Sequence, residues 1–258
     1  LHLSIRRQRQ MCIRDRLRTN LRYTNIDKGL HTLVVTSAMQ GDGKSTVSAN
    51  LARVMALSGL DVILVEGDLR KPTMSSTFDI DPSHPGLSHL LVGAVSLESA
   101  LVHPSVPGLQ VIPAGDTPPN PSELLGSERM SDLLSYLSTD HVVIVDAPPV
   151  LPVTDAVALG AHTDGVLLVV RAGHTTDEQL EQVTEAIRQG GGSVFGVVLN
   201  QTPSSDRRRV EIGEAATAPL STSPVRASSR QGAEPTGQRA VGWSAGAAAA
   251  GQMPVRAR

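Results

Sequence analysis

The chain has 258 residues, 40% of them hydrophobic and 19% charged, which is enough for one α/β domain with a sizeable core. Its formal net charge of −2 combines basic ends, with net charges of +6 over residues 1–22 and +4 over 203–258, with a middle of net −12. An acidic middle excludes a nucleic-acid partner. The single cysteine, Cys12, excludes an internal disulfide and suits a reducing cytoplasm. Since no apolar run reaches the roughly 18–20 residues that span a bilayer, we expect a soluble protein.

The two ends of the chain differ from its middle in composition as well as in charge. Residues 1–16 have no convincing hydrophobic period and read like translated sequencing-adapter text, so we interpret them as non-native; the alternative is a natural basic arm that binds acidic lipid. Residues 17–202 are the predicted domain. Residues 203–258, rich in Ala, Gly, Ser, Pro and Arg, are predicted to be a disordered tail, which is either natural or the product of a reading-frame error.

The first predicted strand, residues 33–36, runs into the sequence SAMQGDGKST at residues 37–46, and apolar residues at helical spacing follow. A strand, a glycine-rich turn and Gly-Lys-Ser at the start of a helix are typical of a phosphate-binding P-loop, although the usual first glycine is Ala38 here. Backbone N–H groups of such a loop bind phosphate oxygens. Lys44 is predicted to bind the β- and γ-phosphates, and the Ser45 hydroxyl to bind Mg²⁺. The predicted nucleotide-binding residues of the loop are Gly41, Asp42, Gly43, Lys44, Ser45 and Thr46.

Apolar runs and helical patterns alternate along the rest of the domain. Strands are predicted at residues 61–65, 109–113, 141–145, 165–170 and 193–199, and helices at 87–92, 97–102, 121–137, 155–162 and 176–189. Thr154 or Asp155 is predicted to cap the fourth of these helices. Continuously apolar strands between helices predict a doubly wound, mostly parallel sheet of P-loop NTPase type, in its partition-ATPase-like branch.

Polar residues follow several of these strands directly. In parallel sheets, ligands bind at the carboxyl ends of the strands, so we expect these residues to converge on one site. Asp146 stands at the Walker B position and is predicted to hold Mg²⁺, the alternative being a helix cap or a solvated loop residue. Glu66 and Asp68 are spaced so that one can bind the metal's water shell while the other polarises an attacking hydroxyl; the alternative is a solvated acidic turn. Further candidates at these strand ends are Arg70, Arg171 and Asn200.

Three stretches of the chain carry a family resemblance. The sequences SAMQGDGKST, VILVEGDLRKP and HVVIVDAPP resemble the Walker A, A′ and B motifs of bacterial tyrosine kinases, the autokinases of capsule and exopolysaccharide export. The resemblance covers roughly residues 17–200. It implies that the acid at position 66 assists deprotonation of the substrate tyrosine and that Asn200 lies near the nucleotide base. The catalytic residues would be Lys44, Glu66, Asp68 and Arg70, and the Mg²⁺ site would comprise Ser45, Asp68 and Asp146.

The resemblance implies an ATP- and Mg²⁺-dependent protein-tyrosine autokinase domain that regulates polysaccharide synthesis and export at the inner face of the plasma membrane. Its implied partners are a membrane chain-length regulator, fused upstream or separate, and, in the intact protein, further copies in a homo-oligomer. One alternative is a partition-type ATPase switch, but the signature lysine of that branch is absent from residues 38–40. Another alternative is a catalytically silent nucleotide-binding scaffold.

Three departures from the family pattern limit what the chain is expected to do. Glu66 replaces the usual aspartate of the A′ motif. Cys12 and Asp15 stand where the family's oligomerisation helix has Glu and Arg, inside the segment interpreted as non-native. The family's C-terminal tyrosine cluster is missing, since the only tyrosines are Tyr23 and Tyr136. We therefore expect slow ATP hydrolysis with little autophosphorylation.

Overall fold

A six-stranded sheet organises residues 31–202, the part of the chain that this computed structural model describes. The strands are β1 (Thr32–Ser37), β2 (Val62–Glu66), β3 (Leu109–Ile112), β4 (Val142–Asp146), β5 (Gly165–Arg171) and β6 (Val194–Asn200). Their order is β3-β2-β4-β1-β5-β6, and every neighbouring pair is parallel, which confirms the predicted fold class. Three of the predictions concern residues outside the described range, namely the segment 1–16, Tyr23 and the tail 203–258.

Eight helices accompany the sheet in this part of the chain. They are α1 (Lys44–Leu57), α2 (Met74–Phe78), α3 (Leu87–Leu91), α4 (Leu97–Ala100), α5 (Pro121–Leu125), α6 (Glu128–Leu137), α7 (Asp155–Gly160) and α8 (Asp177–Gln189). The single helix predicted over 121–137 is wrong. It is divided at Gly126, and the Ser127 hydroxyl accepts a hydrogen bond from the Met130 N–H and caps a new helix.

The strands read as continuous apolar runs because helices cover both faces of the sheet. β1 and β2 are buried throughout, and α1 contributes Leu51 and Met55 to the same core. The edge strand β6 is the exception, with Val197 and Leu199 about half exposed. No helix within residues 31–202 is long and apolar enough to cross a membrane.

The sheet order brings the acidic strand ends next to the P-loop. β4 lies between β1 and β2, so Asp146 is in register with Val35 of β1 on one side and with Glu66 of β2 on the other. The P-loop follows β1 at the same edge of the sheet. The chain order changes direction at β1, and such a switch point is where open parallel sheets bind ligands.

Candidate nucleotide-binding site

The P-loop adopts the left-handed turns that its glycines permit. Gly41 and Gly43 have φ angles of 91° and 96°, and Gly43 is the residue from which α1 begins. A Cβ atom on Gly43 would lie 2.2 Å from the Asn200 side-chain nitrogen, which donates a 2.9 Å hydrogen bond to the Asp42 carbonyl. The Asp42 carboxylate in turn accepts the Met39 N–H at 3.0 Å. The loop is therefore held from within and from the end of β6.

A cavity of about 550 Å³ opens over this loop. The predicted site residues that line it are Gly41, Gly43, Lys44, Ser45, Thr46, Asp68 and Arg70. The remaining lining residues are Gln40, Lys71, Thr73, Pro148, Pro149, Pro152, Val153 and Gln201. Asp42, Glu66, Asp146, Arg171 and Asn200 do not line the cavity. The structure therefore divides the predicted site into residues that face the cavity and residues that support them or lie outside it.

Lys44 connects the P-loop to two acidic strand ends. Its ammonium lies 2.7 Å from Asp68 Oδ2 and 3.9 Å from Asp146 Oδ2, and it donates to the Ser45 hydroxyl at 3.2 Å. All three charged groups are almost completely removed from solvent. Their attraction is therefore weakly screened, and the lysine is positioned before any phosphate arrives.

The Asp146 carboxylate is fully buried, and only one of its two oxygens accepts a hydrogen bond within the described residues. Its Oδ1 accepts the Ser48 hydroxyl at 2.9 Å, whereas Oδ2 has no hydrogen-bond partner within the described residues. Burial raises the pKa of Asp146 from 3.8 to about 6, although the Lys44 charge and the Ser45 and Ser48 hydroxyls act in the opposite direction.

An unpartnered buried carboxylate oxygen close to the P-loop fits a Mg²⁺ site. Within residues 31–202, no group of three or more His, Cys, Asp or Glu side chains could hold a metal ion. Mg²⁺ commonly binds through one or two carboxylates together with substrate phosphates and water, so the phosphates would complete its coordination here. Asp146, Asp68 and the Ser45 hydroxyl are the residues that would hold it.

Glu66 is anchored away from the cavity. It is fully buried and accepts backbone N–H groups from Thr73, from Met74 at 2.7 Å and from Ala114 at 3.0 Å. Burial raises its pKa, while these three hydrogen bonds act to lower it. A direct role in deprotonating tyrosine does not follow from this arrangement, because both carboxylate oxygens already accept backbone hydrogen bonds. Instead Glu66 joins the start of α2 to the loop that follows β3.

Arg70 is held by a buried acid that the sequence interpretation treated only as a helix cap. Its guanidinium binds Asp155 through Nε at 3.0 Å and through Nη2 at 3.3 Å, and Nη2 also donates to the Ser122 hydroxyl at 3.1 Å. Asp155 is fully buried, and Thr154, at the N-cap position of α7, makes no side-chain capping bond. The predicted side-chain cap is therefore wrong for Thr154, and the Asp155 carboxylate pairs with Arg70 instead.

Replacing Asp155 with alanine should lower the free energy of unfolding by about 2 kcal/mol, since it leaves Arg70 and Ser122 without their shared acceptor. The loss should be smaller than for a completely buried ion pair, because the Arg70 side chain is 39% exposed and can turn to water. Urea denaturation measures this change. Ser122→Ala is the matched control and should cost less than half as much; equal losses would contradict the importance of the ion pair.

The two polar residues at the ends of β5 and β6 have different surroundings. Asn200 contacts the P-loop backbone, as described above, and the neighbouring Gln201 lines the cavity. Arg171 lies outside the cavity lining, and its backbone N–H donates to the Thr175 hydroxyl at 3.0 Å. Direct nucleotide binding by Arg171 therefore stays a prediction.

Comparisons with known proteins agree with this arrangement. The chain matches a family of AAA domains over residues 31–191. The septum site-determining protein MinD from Pyrococcus horikoshii, complexed with Mg-ADP, shares the fold with a TM-score of 0.58 over 70% of this chain and 76% of that one, at 20% identity. That likeness shows the fold alone. The parallel sheet, the P-loop geometry and the family match together place the chain in the P-loop ATPase class.

Closer relatives narrow the class to one family. Tyrosine-protein kinase YwqD of Bacillus subtilis is 38% identical over 185 residues, which are 71% of this chain and 78% of YwqD. The kinase domain of the Escherichia coli tyrosine kinase ETK matches with a TM-score of 0.70 at 33% identity, covering 75% of this chain and 78% of that structure. The chain belongs to the family of bacterial tyrosine kinases.

Proposed function

We propose that this chain is an ATP-dependent protein-tyrosine kinase domain that acts in the regulation of polysaccharide synthesis and export. The observation that carries the proposal is the convergence of Lys44, Asp68 and Asp146 beside a P-loop cavity, in a chain that belongs to this family. ATP is the proposed phosphate donor, with Mg²⁺ as its metal. The reaction transfers the γ-phosphate to the hydroxyl of a protein tyrosine and leaves ADP.

In phosphoryl transfer, the protein contributes mainly by positioning the reacting groups and by neutralising their charge. Mg²⁺, when bound, neutralises charge on the β- and γ-phosphates. Lys44 exchanges part of its pairing with Asp68 for the phosphates, and the P-loop N–H groups hold them in line. Asp68 is then the carboxylate at the cavity surface, where it can accept a proton or bind the metal's water shell. Glu66 keeps the loop that carries Asp68 in place.

The proposed setting is the inner face of the plasma membrane, beside a membrane chain-length regulator. The family resemblance of the A′ and B motifs supports this partner. The same resemblance also supports assembly into a homo-oligomer. A regulator peptide from such a partner, added to the purified chain, should raise the rate of phosphate transfer.

The direct test supplies an acceptor from outside the chain. The full 258-residue chain is incubated with γ-labelled ATP, Mg²⁺ and a soluble copolymer of glutamate and tyrosine. We expect labelled phosphotyrosine on the copolymer, with none from Lys44→Ala. Hydrolysis of ATP without transfer to any tyrosine would overturn the kinase proposal in favour of an ATPase switch.

Autophosphorylation of the chain itself should be slow or undetectable. Tyr136 is 49% exposed in the last turn of α6, which leads into the amino end of β4, whereas the cavity lies at the carboxyl ends of the strands. Attack requires about 3–3.5 Å between the reacting atoms. Tyr23 lies outside the described residues. Mass spectrometry after prolonged incubation with ATP should find little phosphotyrosine, and stoichiometric modification of Tyr136 would contradict this prediction.

A further inference from the structure

One positive charge of the cavity lacks an acidic partner among residues 31–202. Three basic side chains of this range line the cavity, those of Lys44, Arg70 and Lys71. The first two are each ion-paired with a buried aspartate. Lys71 has no carboxylate within 4.0 Å anywhere in residues 31–202, and its ammonium instead donates a 2.7 Å hydrogen bond to the neutral side-chain oxygen of Gln40. The cavity therefore offers an uncompensated cation to an anionic ligand.

Both the backbone and the side chain of Lys71 are held by neighbouring groups. The Lys71 backbone N–H donates to Asp68 Oδ1 at 3.0 Å, while Asp68 Oδ2 binds the Lys44 ammonium at 2.7 Å. One carboxylate thus orients both lysines. At its other end, the Lys71 side chain reaches Gln40, the residue that precedes Gly41 in the P-loop. The Lys71 ammonium therefore lies at the edge of the phosphate-binding loop, on the side of the A′ motif.

We propose that Lys71 binds the terminal phosphate of ATP from the edge of the P-loop on the side of the A′ motif, so that the site prefers a triphosphate to a diphosphate. The inference rests on the proposed function, since it assigns a residue to the same ATP site. A flexible lysine can exchange the neutral Gln40 amide for a phosphate oxygen, and the bond to phosphate is the stronger of the two because the acceptor as well as the donor is charged. ADP ends at the phosphate that Lys44 and the loop already bind, so it gains nothing from Lys71.

The test compares nucleotides that differ by one phosphate. Calorimetry on the full chain measures Kd for a non-hydrolysable ATP analogue and for ADP, each with Mg²⁺. Lys71→Ala should raise Kd for the analogue about tenfold, or about 1.4 kcal/mol, with Kd for ADP changed less than twofold. Lys71→Arg keeps the charge and should retain most of the preference. The control Arg188→Ala removes one positive charge from the exposed face of α8, outside the cavity, and should change neither Kd.

Every other result overturns the assignment of Lys71. Equal weakening for both nucleotides would show a general charge effect, and no weakening would show that the lysine stays on Gln40. A raised KM for the tyrosine acceptor with unchanged nucleotide affinity would place Lys71 at the acceptor instead. A wild-type chain that binds neither nucleotide would refute the proposed function together with this inference, whereas a chain sensitive to Lys44→Ala but not to Lys71→Ala would refute the inference alone.

Discussion

Replacing Lys44 with alanine is expected to weaken ATP binding at least a hundredfold, a loss of about 3 kcal/mol or more, and to abolish turnover. The lysine is nearly buried between Asp68 and Asp146, so its removal leaves both carboxylates, of which Asp68 lines the cavity, without a cation when the phosphates arrive. Repulsion then replaces attraction at the same point. Calorimetric titration with ATP and Mg²⁺ measures the affinity.

The same experiment needs a measure of folding, because the substitution also removes the counter-charge of two buried acids. Circular dichroism should show a folded chain, and Lys44→Met, which keeps the aliphatic stem, should give the same loss of ATP binding. Arg188→Ala is again a suitable charge control, since this side chain is 76% exposed on α8. ATP affinity equal to wild type in a folded Lys44→Ala chain would remove the basis of the P-loop assignment.

Replacing Asp146 with asparagine is expected to stabilise the chain in the absence of nucleotide and metal while weakening its use of Mg²⁺. Burial raises the pKa of this carboxyl from 3.8 to about 6, so the folded state binds its proton more tightly than the unfolded state does. Stability therefore falls as pH rises from about 4 to 6 and stays lower above that range. Asparagine does not ionise. The variant should match wild type near pH 4 and exceed it by on the order of 2–3 kcal/mol at pH 7.

Two measurements on this variant separate stability from function. Urea denaturation across pH 4–7, without Mg²⁺ or nucleotide, tests the growing difference in the free energy of unfolding. Nucleotide titration with and without Mg²⁺ tests the metal, because the variant keeps the shape of the side chain but loses the charge opposite the ion. If the variant were less stable at pH 7 and retained the full magnesium requirement, Asp146 would be a structural residue and not the Walker B acid.

Much of the site could be predicted because its signals are local. The P-loop is contiguous in sequence, and the acids at the ends of β2 and β4 directly follow apolar runs that form buried strands. Strand pairing then brings Glu66 into register with Asp146. Helix α2 was missed for the opposite reason. Its first N–H groups are bound by Glu66, several residues upstream, and not by an adjacent capping side chain.

The separation of roles between Glu66 and Asp68 also required the three-dimensional structure. Both acids lie at the carboxyl end of the same strand, Glu66 as its last residue and Asp68 two residues further on, and sequence spacing allowed either one to face the ligand. The backbone N–H groups that bind Glu66 come from the start of α2 and from the loop that follows β3. Asp68 instead meets Lys44, which lies 24 residues earlier in the chain. No local pattern encodes which partner each acid will find.

By itself, the sequence of this protein determined the parallel α/β fold, the P-loop and the family, because apolar periodicity, glycine-rich turns and short motifs act over a few residues. Only the tertiary structure decided that Asp155 holds Arg70 and that Lys71 reaches Gln40. Those pairs are separated by 85 and 31 residues, and they form where loops from different strands meet at one edge of the sheet. Contacts of this kind depend on how the elements pack, since packing sets which side chains lie within hydrogen-bonding distance once the strands are assembled.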